Sequence, residues 1–75
     1  MKELLQYILE QLVSKPENIV IEETDKGNEI EFNVTVDPED LGSVIGRGGK
    51  VANSIRTVVR SSGKKLDKRV SIKFN

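Results

Sequence analysis

EIEFNVTVDPEDLGSVIGRGGK, residues 29–50, changes its periodicity twice. Its first eight residues alternate strictly, with Ile30, Phe32, Val34 and Val36 on one face and Glu29, Glu31, Asn33 and Thr35 on the other. That pattern predicts a half-buried β-strand, one sheet face packed and the other wet. Asp37-Pro38-Glu39-Asp40 then supplies an N-cap residue, a proline at the first helical position and acids in the first turn. The short helix opened there carries Leu41, Val44 and Ile45 inward and stops at Gly46. Glycine fills three of the next four positions, 46, 48 and 49, with Arg47 among them and Lys50 behind. Glycine is costly inside regular structure and useful where the backbone turns sharply or lets something approach closely.

Toward the N-terminus, Leu4, Leu5, Ile8, Leu9, Leu12 and Val13 form the apolar stripe of an amphipathic helix. Lys15-Pro16 ends it, because a residue before proline is pushed away from helical dihedrals. Residues 18–24, NIVIEET, read as a β-branched strand, and Asp25-Lys26-Gly27-Asn28 as a hairpin turn. Toward the C-terminus a second helix runs from about Lys50 to Ser61, with Val51, Ala52, Ile55, Val58 and Val59 on one face. Ser62-Gly63-Lys64-Lys65 is expected to break it, and RVSIKF, residues 69–74, alternates again with Val70, Ile72 and Phe74 inward.

The order is α-β-β-α-α-β. The first two strands pair as an antiparallel hairpin, and the helix pair is a right-handed crossover that lays the last strand parallel to the middle one. The expectation is a single α+β domain over residues 1–75, a three-stranded mixed sheet with three helices packed on one face.

The chain has no Cys and no His, which removes disulfides, thiolate nucleophiles and zinc sites of the usual ligand types, and no cofactor is expected. With no clustered acids around the glycines either, no reactive constellation is visible and an enzyme is not expected. The longest apolar run is Ile19-Val20-Ile21, far short of a membrane span, and the first residues mix Glu and Gln into their apolar positions, unlike a signal peptide. A soluble cytoplasmic protein without a membrane partner is the default. The formal net charge is zero, but its distribution is not even. Residues 1–40 hold 11 Asp or Glu against 3 Lys, and residues 41–75 hold 1 Asp against 9 Lys or Arg. Such asymmetry points to a charged partner unless folding interleaves the halves.

The glycine run lies at the N-terminus of a helix, where unpaired amides and the helix dipole favour an anion. A phosphate is the natural guest. The run is no P-loop, since Val44 and Val51 occupy required positions, and no dinucleotide fingerprint, which follows a strand. A DNA-binding helix-hairpin-helix fits the Gly46, Gly48 and Ala52 spacing, yet it expects an apolar residue at Arg47 and an all-helical domain.

What remains is G-x-x-G, Gly46-Arg47-Gly48-Gly49, preceded by Val44-Ile45 and joining two helices. With the order of elements around it, this resembles the type II KH fold of bacterial single-stranded nucleic-acid-binding proteins, whose GXXG loop clamps the nucleotide backbone. From Lys2 to Phe74 the chain is similar to the small stand-alone bacterial KH proteins of the KhpA (YlqC) family. The acidic first half, DLGSVIGRGGKVANSIRTVV and the short final strand carry that resemblance. One departure is Gly48, a variable position where family members often have a polar or basic side chain; it removes one phosphate-directed group and frees the backbone.

The resemblance implies a groove for about four unpaired nucleotides. One wall is the helix pair with Gly46, Arg47, Gly48, Gly49 and Lys50. The other is the last strand and the loop before it, with Lys64, Lys65 and Lys68. Val44, Ile45 and Val51 would form a floor under the bases, although each also reads as plain core, and the lysine loop also reads as an ordinary solvated loop. Arg47 and Lys50 oppose the dipole preference of a helix N-terminus, so a purely structural account explains them poorly. Phe32 and Phe74 read as core, so recognition by aromatic stacking is not expected. The implied role is an RNA-binding post-transcriptional regulator or RNA chaperone. The other class in view is a protein-interaction module. Family resemblance implies self-association and pairing with a larger KH-containing protein (KhpB/Jag-like), and Val58 and Val59 would extend an apolar face for it.

Overall fold

The computed structural model describes residues 1–64 and 67–75. Helix α1 spans Lys2–Leu12, strand β1 Val20–Asp25, strand β2 Glu29–Thr35, helix α2 Leu41–Ile45, helix α3 Lys50–Lys64 and strand β3 Arg69–Phe74. The sheet order is β1-β2-β3. β2 is central, antiparallel to β1 with Ile21 opposite Val34, and parallel to β3 with Ile30 opposite Val70. This is the expected α+β arrangement, and it excludes the all-helical helix-hairpin-helix alternative.

The core follows the alternation of the two long strands. Ile30, Phe32 and Val34 of β2 and Val70 and Ile72 of β3 are buried in one cluster with Leu5 and Leu9 of α1, Val44 of α2, and Ile55 and Val59 of α3. Their opposite faces carry Glu29, Glu31, Asn33, Arg69, Ser71 and Lys73, none of them buried. β1 contributes only Ile21, as suits an outer strand. It begins two residues later than its composition suggests, because Pro16–Asn18 makes a 3-10 turn and the Asn18 side-chain Nδ2 donates to the Asp37 carboxylate at 3.0 Å. The hairpin turn is as expected. Gly27 has φ +88°, and its N–H donates to the Asp25 carboxylate at 2.9 Å.

Three readings of the sequence change. Gly63 does not break α3, which continues to Lys64. It is buried because a Cβ there would overlap the Val70 side chain and lie 3.4 Å from the Lys68 carbonyl. Close approach of helix to strand, not a turn, is what requires glycine. Val59 is fully buried and belongs to the core, which leaves Val58, 47 % exposed, without it as an outward apolar face.

Asp37 does not cap α2; it heads the preceding turn, where its carboxylate accepts the Glu39 N–H at 2.9 Å. Asp40 stands at the N-cap position and is buried. Its carboxylate accepts the Ser14 N–H at 3.0 Å, the Ser14 hydroxyl at 2.8 Å and the Lys15 N–H at 3.1 Å, tying the end of α1 to the start of α2. These bonds, the Ser14 amide first, hold its pKa below the usual 3.8. The stability carried by the charged form is therefore complete above that value and is lost as pH falls through the lowered folded-state pKa.

Candidate nucleic-acid interface

α2 and α3 meet at the glycine joint. Gly46 has φ 75° and ψ 176°, a region open essentially to glycine alone, and a Cβ there would sit 2.9 Å from the Val51 nitrogen. Gly48, at φ 60° and ψ 20°, and Gly49, at φ 80°, are also left-handed. Nothing lies within 4 Å of the place a Gly48 side chain would take, so the middle of the joint is open.

Residues 47–49 form a 3-10 turn, which alters the supply of free amides. The Gly49 N–H donates to Gly46 O at 3.2 Å and the Lys50 N–H to Arg47 O. Two amides expected to be free at the helix N-terminus are thus used within the turn. The amides of Arg47 and Gly48 follow one another at the tip of the joint. Successive N–H groups of this kind make a small concavity suited to an anion. Arg47 and Lys50 are both exposed beside it. Ile45 and Val51 are half-buried next to the joint, whereas the Val44 side chain is fully buried and supports it from within the core.

α3 leaves the joint antiparallel to β3. Arg56 Nε donates to Ile72 O and, one helical turn later, Arg60 Nε donates to Val70 O, both at 3.3 Å. The match is metric: four helical residues rise about 6 Å and two strand residues about 6.6 Å. Arg56 also bonds the Asn53 side chain at 2.9 Å, and its guanidinium lies 5.3 Å from the centre of the Phe74 ring. Phe74, expected in the core, is half-buried under it. Neither arginine stands out in the sequence; the available signal was a basic pair four residues apart, each directly following a buried residue of the apolar stripe.

At the far end of α3 lies a recess of about 470 Å³ lined by Glu29, Arg60, Lys64, Lys68, Arg69, Val70 and Ser71. Lys68 is bound to Asp25 at 2.9 Å, so the hairpin tip already opposes its charge. Lys65 lies outside the described residues. Among those described, the ion pairs engage only Lys15, Lys26 and Lys68. Arg47, Lys50, Arg56, Arg60 and Lys64 meet no carboxylate within ion-pair distance. The charge asymmetry of the sequence therefore survives folding along α3.

A family model described as KhpA/KhpB, KH domain, matches residues 2–74. The RNA-binding protein KhpA of Oceanobacillus iheyensis is 43 % identical over 70 residues, covering 93 % of each chain. That of Clostridium perfringens is 41 % identical over 74 residues and 99 % of each chain. That of Listeria monocytogenes is 37 % identical over 74 residues, 99 % of this chain and 97 % of its own. No solved structure matches the chain significantly. The match to the family model over nearly the whole length, with relatives well above 30 % identity, places the chain in the KhpA/KhpB KH-domain family.

Proposed function

We propose that this chain binds single-stranded RNA in the cytoplasm, gripping about four nucleotides in a groove that starts at the Gly46–Gly49 joint and runs between α3 and the edge of β3. The observation that carries this is the joint itself: left-handed glycines open the backbone beside Arg47 and Lys50, and neither cation has a carboxylate within ion-pair distance. The amides of Arg47 and Gly48 take one phosphate. Arg47, Lys50 and Lys64 supply mobile charge, Ile45 and Val51 face the bases, and Lys68 lies on the opposite rim, already paired with Asp25. The printed name of the relatives, RNA-binding protein KhpA, supports the same assignment, and with it a role in post-transcriptional control or as an RNA chaperone.

Titrating an eight-nucleotide single-stranded RNA at several salt concentrations tests this. Contact with about three phosphates gives a log K against log salt slope near −2. Absence of binding at low salt, or a slope near zero, sinks the proposal.

A second reading, self-association or pairing with a larger KH-containing protein (KhpB/Jag-like), rests on Val58, an apolar side chain 47 % exposed on α3. Replacing Val58 with Glu is expected to shift the protein toward monomer in sedimentation; a wild type already monomeric at high concentration removes that reading.

A further inference from the structure

Arg56 is the most firmly oriented cation beside the groove. Its Nε donates to Ile72 O at 3.3 Å, and its Nη1 donates to the Asn53 side chain at 2.9 Å. The guanidinium carbon lies 5.3 Å from the centre of the Phe74 ring. Two hydrogen bonds and a ring thus fix the plane of a side chain that is ordinarily rich in rotamers. The ring takes one side of that plane. The end bonded to Asn53 lies at the surface, and the residue is only half-buried, so the guanidinium is not sealed in the core. Arg56 follows Lys50 by six helical residues, about 9 Å along α3.

Arg60 provides a comparison within the same helix. It repeats the strand bond, to Val70 O at 3.3 Å. Val70 and Phe74 stand four residues apart on β3, about 13 Å, so the ring serves Arg56 and not Arg60. Shielding the sheet edge accounts for what the two arginines share. Covering Phe74 would need only an apolar stem, which lysine also has. A planar cation fixed over the ring offers what a stem does not, a second flat face.

We infer that Arg56, backed by Phe74, is a stacking platform for one nucleobase in the groove. Unpaired bases stack on guanidinium planes as they do on aromatic rings. A plane that is already held loses little further entropy when a base settles on it. Of the three aromatic side chains, Tyr7 stands on α1 and Phe32 is fully buried, which leaves Phe74, acting through Arg56. Stacking asks only for a π face, so the subsite takes any base and adds affinity without sequence preference. The inference rests on the RNA-binding reading above and adds to it a residue that holds a base rather than a phosphate.

The test compares a mixed-sequence RNA octamer with a sugar–phosphate octamer lacking bases, at one low salt concentration. The proteins are wild type, Arg56→Lys and Arg60→Lys, with circular dichroism confirming each fold. Lysine keeps the charge and the stem and loses the plane. Arg56→Lys is expected to weaken RNA binding about fivefold or more, the effect of roughly one stacked base, and to leave the salt slope unchanged. Its affinity for the abasic octamer changes less than about twofold, as does the affinity of Arg60→Lys for either oligomer. In wild type, NMR should show the Arg56 Hε resonance moving upfield on addition of RNA, under a base ring, and not on addition of the abasic chain. Equal losses of Arg56→Lys on both oligomers would mean that Arg56 meets phosphate or only shapes the groove, and overturn the inference. Equal losses for Arg56→Lys and Arg60→Lys on RNA, or no upfield shift, overturn it too. If RNA binds with the expected salt slope while Arg56 behaves in any of these ways, only this inference falls; if no single-stranded RNA binds, the reading beneath falls with it.

Discussion

The two ends of α3 look alike in sequence and differ in physics. Gly46-Arg47-Gly48-Gly49-Lys50 enters the helix, and Ser62-Gly63-Lys64 leaves it toward Lys68-Arg69; both ends set glycine among cations. At the entrance the glycines hold dihedrals that other residues avoid, and the cations meet no acid. At the exit Gly63 is helical and serves close packing against Val70, while Lys68 is bound to Asp25. A glycine beside a charge has to be weighed by what the backbone does there and by what the cation meets.

Substituting alanine at each end is the strongest way to break that contrast. Gly46→Ala forces a side chain into a glycine-only backbone region, at about 1–3 kcal/mol, and against the Val51 main chain. A total loss of roughly 3 kcal/mol is expected, seen as a fall in Tm of about 12 °C or more. Gly63→Ala starts from an advantage, since alanine is a better helix former by about 1 kcal/mol. It must then displace Val70, an overpacking worth about 1–3 kcal/mol, so a net loss of about 0–2 kcal/mol remains. RNA affinity per folded molecule stays at the wild-type level. Equal losses at the two sites, or a stabilised Gly63→Ala protein, would mean that both glycines do the same job.

Charge at the entrance is tested next. Arg47→Asp combined with Gly48→Asp places two negative charges where a phosphate is proposed to sit. Gly48 has a left-handed conformation that Asp tolerates better than most residues, and its side-chain site is open, so circular dichroism should be unchanged. Affinity for single-stranded RNA is expected to fall at least tenfold, about 1.4 kcal/mol, with a shallower salt slope. Unchanged affinity and slope would reduce the joint to a turn.

How much of this was legible beforehand depended on the range of the forces involved. The alternation of Ile30, Phe32 and Val34, and of Val70 and Ile72, gives strands because a two-residue period is a local property, and the sheet order follows from connection lengths. The joint was visible because glycine clusters have few other uses. Gly63 was misjudged since its neighbour across the helix–strand contact, Val70, is invisible to single-residue propensity. The Asp40 contacts with Ser14 and Lys15 span 26 and 25 positions, and no local pattern announces them. Arg56 and Arg60 escaped notice for a related reason. Their role depends on which way α3 runs past β3, and that follows only once the helix is docked.

The smallest expected effect sharpens the comparison most, because it separates two lysines of the same type. Lys50 is exposed at the entrance without an acidic partner, so Lys50→Ala should weaken RNA binding about two- to threefold and flatten the log–log salt slope by about 0.7. Lys68 donates to the Asp25 carboxylate at 2.9 Å, and this bond is the first cause of the lowered Asp25 pKa, followed by the Gly27 amide. A lowered carboxylate pKa keeps the pair charged above the ordinary value of 3.8 and releases it only as pH falls through the lowered one. Lys68 is therefore opposed throughout the neutral range, and Lys68→Ala should change affinity less than about twofold with no change of slope. Asp25→Asn removes the opposing charge; in that background Lys68→Ala should cost about as much as Lys50→Ala does in wild type. The double-mutant cycle isolates the pairing from any separate effect of either substitution. Equal losses for Lys50→Ala and Lys68→Ala in wild type would show that RNA draws Lys68 away from Asp25, and that the two ends of α3 are electrostatically equivalent once the groove is filled.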